Sequence, residues 1–259
     1  YERRYNRALQ IQDPDEFVAA VATDMPPAPD HFSWCTVVNT RGPALVDSLP
    51  FPRAMSPTEF AEAARHEKTI VLDARAYESF GAQHIPGAYS IDMEANFPIL
   101  AGWVVPPEKE ILLVTNSFEE VQMAIQWLRR VGLDQTVGYL DGGMPAWALA
   151  GLPTRHVRQL SAIEFHKTLT NDKDIPVVDV RSATEFGSGH ITRALNIPVA
   201  ELRTRYTELD PAHPLILVCP GGNRATMGIS LLMQRGFEHV MNVAGGMTGY
   251  AAAGFPYDI

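Results

Sequence analysis

Cys219 stands at the end of the apolar run Leu215-Ile-Leu-Val218 and opens the loop Cys219-Pro220-Gly221-Gly222-Asn223-Arg224-Ala225, after which a helical stretch begins at once. A thiol at the carboxyl end of a buried strand, with a short glycine-rich turn into a helix, meets backbone N–H groups and the positive end of the helix dipole. Such surroundings favour the thiolate, the nucleophilic form of cysteine, and lower its pKa. Gly221 and Gly222 lack a Cβ, so the backbone is free to curl its amides toward the sulfur. Arg224 supplies a fixed cation for an oxyanion or for the charge on a persulfide. The competing reading is an inert core cysteine, the commoner fate of a lone Cys. A core cysteine, however, has no use for two glycines and an arginine beside it.

The elements that must position this loop emerge from an internal repeat. The stretch Val71-Leu-Asp73-Ala-Arg75 through His84-Ile-Pro-Gly-Ala88 recurs as Val177-Val-Asp179-Val-Arg181 through His190-Ile-Thr-Arg-Ala194. Ile111-Leu-Leu-Val-Thr115 likewise matches Leu215-Ile-Leu-Val-Cys219, and Gly142-Gly-Met-Pro-Ala-Trp147 matches Gly245-Gly-Met-Thr-Gly-Tyr250. Four blocks in one order imply two copies of one unit, with boundaries expected at 54–156 and 157–259. Each copy opens on a capping box, Ser56-Pro-Thr-Glu59 and Ser161-Ala-Ile-Glu164. Short apolar runs (69–72, 111–114, 137–140; 176–178, 215–218, 240–243) alternate with helical stretches such as 121–131 and 225–235. Strands without polar alternation are buried on both faces, which predicts a parallel sheet flanked by helices, an α/β fold in each copy. Gly132 and Gly236 fall where left-handed caps should end a helix.

In the first copy the loop reads Thr115-Asn-Ser-Phe-Glu-Glu120, with neither thiol nor arginine. No base is in view to activate Thr115, and Glu119 and Glu120 repel an anion. That copy is expected to be inactive, serving as structure or as a wall of the cleft. His84 and His190 recur in both copies, so a hydrogen-bonding role fits them better than catalysis. Asp73/Arg75 and Asp179/Arg181 read as internal ion pairs, with Arg181 expected near the second site.

Residues 1–53 differ in character: seven of the twenty prolines lie there, Met25-Pro-Pro-Ala-Pro29 among them. Asp13-Pro-Asp-Glu16 predicts one capped helix, and an extended arm without a core of its own is expected after it. Cys35, beside Trp34, reads as a buried small side chain. Two cysteines cannot make a disulfide framework, and no His-x-His or Cys-x-x-Cys spacing proposes a metal, so no cofactor is expected. With 46% hydrophobic and 20% charged residues the 259-residue chain has the profile of folded domains. A net charge of −9 disfavours nucleic acid and acidic membranes as partners. No run approaches the roughly 20 apolar residues of a membrane span, so a cytoplasmic protein is expected. A chain opening on Tyr1 is expected to be a processed product or a piece of a longer one.

The blocks Asp179-Val-Arg181, Glu185-Phe186 and Gly189-His190-Ile191, then Cys219 to Arg224, then Gly245-Gly246, resemble the rhodanese signatures in their order, and the tandem arrangement covers some four-fifths of the chain. The resemblance implies a sulfurtransferase. Cys219 would be the nucleophile that carries a sulfane sulfur as a persulfide, and Arg224 with the loop residues Pro220, Gly221, Gly222, Asn223 and Ala225 would hold it. The donor would be thiosulfate or a low-molecular-weight persulfide, the acceptor a thiol or cyanide. Thr192-Arg193 stands where the family has Pro-Gly, a departure in a turn. Cdc25-like phosphatases use a loop one residue longer, and the smaller ring here fits a single sulfur better than a phosphate. A non-catalytic rhodanese-like scaffold is the other reading. Tyr1-Glu-Arg-Arg-Tyr-Asn-Arg-Ala-Leu9, with the helix around Asp15-Glu-Phe17, resembles the tail of metallo-β-lactamase-fold persulfide dioxygenases. That resemblance implies a fusion whose zinc or iron ligands lie outside this chain and whose persulfide sulfur would reach Cys219.

Overall fold

The computed structural model describes residues 1–22, 31–172 and 174–259. Each copy builds a five-stranded, wholly parallel sheet. The first contains β1 (Arg53–Met55), β2 (Thr69–Asp73), β3 (Tyr89–Ser90), β4 (Glu110–Val114) and β5 (Thr136–Leu140), in the order β1-β5-β4-β2-β3. The second contains β6 (Arg158–Leu160), β7 (Val177–Asp179), β8 (Leu195–Asn196), β9 (Leu215–Val218) and β10 (Val240–Val243), in the order β6-β10-β9-β7-β8, the same arrangement strand for strand. β4 and β9 are the central strands, and β9 is buried at all four positions, as its unbroken apolar run requires.

Three helices precede the sheets, α1 (Glu2–Tyr5), α2 (Pro14–Ala22) and α3 (His31–Arg41). The first sheet carries α4 (Pro57–Ala63), α5 (Tyr77–Ala82), α6 (Phe97–Val104), α7 (Phe118–Arg130) and α8 (Gly143–Leu149). The second carries α9 (Ala162–Asn171), α10 (Ala183–Gly187), α11 (Leu202–Arg205), α12 (Asn223–Met233) and α13 (Gly246–Ala252). Both expected capping boxes form: Ser56 and Ser161 cap the N3 amides of α4 and α9, while Glu59 and Glu164 accept the cap backbone N–H. A third, Ser182 with Glu185, caps α10. No described helix is long and apolar enough to cross a membrane.

The two sheets share a core. α7 carries Glu, Gln and Arg on its outer face, but α12 has no charge from Ala225 to Met233, and a helix that is apolar all round must be covered all round. It lies between the copies: Ala225 through Ser230 are all buried, and Ser230 Oγ accepts the Ser90 N–H of β3 at 3.0 Å. One continuous apolar cluster runs from Phe60, Leu112 and Leu128 to Leu217, Met227 and Ile229.

The amino-terminal segment departs from expectation. α2 starts as predicted, with Asp13 Oδ1 accepting the N–H groups of Asp15 and Glu16 at 2.9 Å, and nothing in α1 or α2 is buried. Met25–Pro29 lies outside the described residues. Beyond it the chain is helical over α3 rather than an extended arm. Trp34 Nε1 donates to the Gly132 carbonyl at 2.9 Å, seating α3 on the end of α7. Docking thus overrides the weak helix propensity of Thr36, Val37 and Val38, while Thr36 and Thr40 return their hydroxyls to carbonyls one turn back. Cys35 is only half-buried on this helix rather than buried.

Candidate functional site

Cys219 follows β9 directly, and Gly222 is the N-cap of α12 at φ +116. The Gly222 N–H donates to Cys219 Sγ at 3.1 Å, and the amides of Ala225 and Gly221 are near enough to favour its charged form. Gly221 has open space where a Cβ would lie, whereas a Cβ on Gly222 would fall 2.7 Å from the Tyr77 ring. Only the second glycine is sterically required. Cys219 itself is 1% exposed. This depth reverses the expected effect on the thiol: burial pushes its pKa up, against the opposing pull of the three amides and of Arg224. Burial thus works against the thiolate in a cradle whose amides and cation favour it.

The loop is held from behind by α13. The Met247 N–H donates to the Cys219 carbonyl at 2.8 Å and the Thr248 N–H to the Pro220 carbonyl at 3.0 Å. Gly246, at φ +52, makes this approach possible, since a Cβ there would lie 2.0 Å from the Cys219 oxygen. The repeat marks Gly245-Gly246 without revealing this role.

Arg224 turns to Glu185 in a bidentate pair at 2.6 and 2.9 Å. The arginine holds the Glu185 carboxyl far below its usual range, at about 2. Glu185 therefore serves twice, capping α10 and anchoring the arginine, and Arg224 is less free for a substrate than the sequence implied. The spacing Ser182-Ala-Thr-Glu185 is the local signal of a capping box that the sequence reading missed; the ion pair leaves no such signal. Asn223 Nδ2 donates across the copies to Asp92 Oδ2 at 3.1 Å. The guanidinium of Arg181 is taken up by Asp179 and the Gly189 carbonyl, the shortest contacts 2.6 Å each. It is an internal strut, matched by Arg75 on Asp73 and the Gln83 carbonyl.

A cavity of about 460 Å³ opens at the sulfur. Cys219, Pro220, Gly221, Asn223 and Arg224 line it on one side with Val180, Ser182 and the stretch Pro198–Ala200. Ile99, Leu100 and Trp103 of α6 face them from the first copy. The walls are mainly apolar, and Arg181 is not among them.

The corresponding loop of the first copy is closed on itself. Glu120 Oε2 accepts the Asn116 N–H at 2.7 Å, Ser117 caps α7, and the Thr115 hydroxyl donates to the Ser117 carbonyl at 3.0 Å. His84 and His190 stack on Phe80 and Phe186 at 3.9 and 3.8 Å and bond the carbonyls of the same residues through Nδ1. Neither histidine is among the residues lining the cavity.

Comparison with known proteins gives a consistent family. The rhodanese-like domain family matches residues 56–150 and 161–253. A sulfurtransferase of Allochromatium vinosum is 28% identical over 100 residues, 39% of this chain and 94% of the relative. The thiosulfate sulfurtransferase GlpE of Shewanella oneidensis is 29% identical over 85 residues, 33% of this chain and 84% of its own. The crystal structure of a thiosulfate sulfurtransferase from Pseudomonas aeruginosa is 22% identical, covering 80% of this chain and 43% of that one, with a TM-score of 0.37.

Proposed function

Since the chain belongs to the rhodanese-like domain family and has sulfurtransferases among its relatives, we propose that it transfers a sulfane sulfur through a persulfide on Cys219. The observation that carries this reading is the Gly222 N–H on Sγ at 3.1 Å, at the edge of a substrate-sized cavity. Sγ attacks the outer sulfur of a donor, a new S–S bond forms, and the donor's own bond to that sulfur breaks. The electron pair leaves with sulfite when the donor is thiosulfate, or with a thiol, which takes the Cys219 proton, when it is an organic persulfide. An acceptor thiolate or cyanide then attacks the same outer sulfur, and Cys219 departs as the thiolate. The charge on the persulfide lies one atom farther out than Sγ, nearer the cavity, and the ring of amides supports it there. Burial of Cys219 disfavours the free thiolate at rest and so limits its oxidation.

The four residues between Cys219 and Arg224 support sulfur transfer over phosphate-ester hydrolysis, and an intact amide cradle supports catalysis over a purely structural role. The same reading takes the first copy as non-catalytic, its loop occupied by Glu120. It also takes the likeness of the segment from Tyr1 to Phe17 to a persulfide dioxygenase tail as pointing to such a domain as a partner in the same parent chain.

The test is intact-mass measurement after exposure to thiosulfate or to an organic persulfide. One added sulfur is expected in the wild type and in Cys35→Ala, and none in Cys219→Ala. No added sulfur from any donor, or equal loss in the two variants, would overturn the reading.

A further inference from the structure

The first copy does more than cover the second. The geometry points to Tyr77 and Asp92 of the first copy as positioning residues for the Cys219 loop, so that the copy without a thiol completes the cradle of the copy that has one. This rests on the sulfur-transfer reading of Cys219.

Tyr77 opens α5, after the carboxyl end of β2, and its ring occupies the space beside Gly222, 2.7 Å from where a Cβ there would fall; Gly222 is the residue whose N–H binds Sγ. Its hydroxyl accepts the Gly245 N–H at 3.3 Å. Gly245 caps α13, and the amides that follow it hold the carbonyls of Cys219 and Pro220. One side chain thus touches both walls of the loop. Asp92 joins it to a third point: Oδ2 accepts the Tyr77 N–H and the Asn223 Nδ2 group, both at 3.1 Å, while Oδ1 takes the Glu94 N–H at 2.8 Å. Asn223 is the first residue of α12, next to Arg224. Asp92 is 5% exposed, so its geometry is tightly held.

These contacts differ from general interface packing in where they land. Two fall on Gly222, whose N–H binds the sulfur, and on its neighbour Asn223, and the third on Gly245, the cap of the helix that holds the loop carbonyls. They also run in one direction only. The positions equivalent to Tyr77 and Asp92 in the second copy are Ala183 and Pro198, which offer neither a ring and hydroxyl nor a carboxylate to the Thr115 loop. The brace therefore stands on the copy that carries Thr115 in place of the thiol.

The test uses the full chain in a Cys35→Ala background, with Tyr77→Phe, Tyr77→Ala and Asp92→Ala. The readouts are the rate of Cys219 alkylation by iodoacetamide against pH, sulfur loading followed by intact mass, and melting temperature. Freeing the loop weakens the alignment of its amides. Alkylation near neutral pH should then slow by about tenfold in Tyr77→Ala and Asp92→Ala, the equivalent of one unit in the thiol midpoint. The maximal loading rate should fall with little change in the donor concentration needed. Tyr77→Phe keeps the ring on Gly222 and loses only the Gly245 contact, so a smaller shift of the same sign is expected even if the alanine variants fold poorly. An unmoved alkylation profile in all three variants, whatever the melting temperatures, would overturn the proposal. Alkylation does not require sulfur transfer: shifted profiles in a protein that never loads sulfur would sink the sulfurtransferase reading and leave the positioning role standing.

Discussion

Gly246→Ala should damage the site more than its single methyl group implies. At φ +52 an alanine is in the left-handed region, which costs roughly 1–2 kcal/mol. Its Cβ would lie 2.0 Å from the Cys219 carbonyl oxygen and 2.5 Å from that of Pro220. Both are backbone atoms, so no side chain can swing aside, and α13 must retreat by more than about 1 Å to reach van der Waals distance. That retreat breaks the bonds from the Met247 and Thr248 amides, at 2.8 and 3.0 Å, each worth about 1 kcal/mol net. The loss should be about 3–4 kcal/mol by these terms together. Gly236→Ala is the control: φ is +88, yet nothing lies within 4 Å of its Cβ, so only the backbone cost of roughly 1–2 kcal/mol applies. Urea denaturation should separate the two variants clearly, and sulfur loading should fall in Gly246→Ala while Gly236→Ala keeps its rate. Equal destabilisation, or wild-type loading in Gly246→Ala, would refute the claim that α13 holds the loop.

Arg193, at φ +66, is the one non-glycine in the left-handed region among the described residues, and Arg193→Gly should therefore raise stability by about 1 kcal/mol in urea, the opposite of a typical surface-to-glycine change. Arg224→Leu breaks a partly exposed ion pair with Glu185, so it should cost under about 1 kcal/mol of stability while slowing sulfur loading at least tenfold; a large fall in melting temperature with loading intact would reassign the arginine to structure. His84 is held neutral by burial, its pKa lowered from 6.5 to about 4. The unfolded chain therefore binds the extra proton first, and its contribution is complete above about pH 6.5 and lost as pH falls toward 4, on the order of 3 kcal/mol across the window. A His84→Gln protein should lack that part of the pH slope.

The fold was legible because each copy wrote three of its five strands as short apolar runs and its first helix start as a capping box, signals that depend on local chemistry alone, whereas the short edge strands β1, β3, β6 and β8 carry no such run. What failed depended on the third dimension. α3 forms because Trp34 finds the Gly132 carbonyl across the chain, a partner that no propensity of Thr36-Val37-Val38 announces. The loop's amides were readable from Gly221 and Gly222, but the pKa of Cys219 turns on burial depth, which the tetrad of apolar residues before it only hinted at. Arg224 looked free because Glu185 lies far away in sequence. The Asp179–Arg181 pair was readable from its spacing, but the Gly189 carbonyl that completes the hold on Arg181 was not. The charge-free stretch Ala225–Met233 was the one unread signal of the interface: a helix with no polar face foretells a neighbour on every side.

The two loops show how little separates a cradle from a closed turn. Both follow a central strand, both lead into a helix, and both are backed by a Gly-Gly-Met turn, with a Cβ on Gly143 falling 2.9 Å from the Thr115 carbonyl as one on Gly246 would fall on Cys219. The difference lies in what fills the positive concavity. In the second loop a sulfur takes the Gly222 amide, and the cation beyond it is tethered by Glu185, whose counterpart in the first copy is Ser79. In the first, the carboxylate of Glu120 takes the Asn116 amide. A carboxylate on a helix's first turn is favourable by itself, so the first loop gains stability from the group that excludes an anionic ligand, and removing Glu120 alone leaves a site with neither nucleophile nor cation. The backbone suited to bind charge is thus retained in both copies, because it is also the backbone that the Gly-Gly turn and the strand demand; only the side chains decide whether that capacity is offered to a substrate or used within the fold.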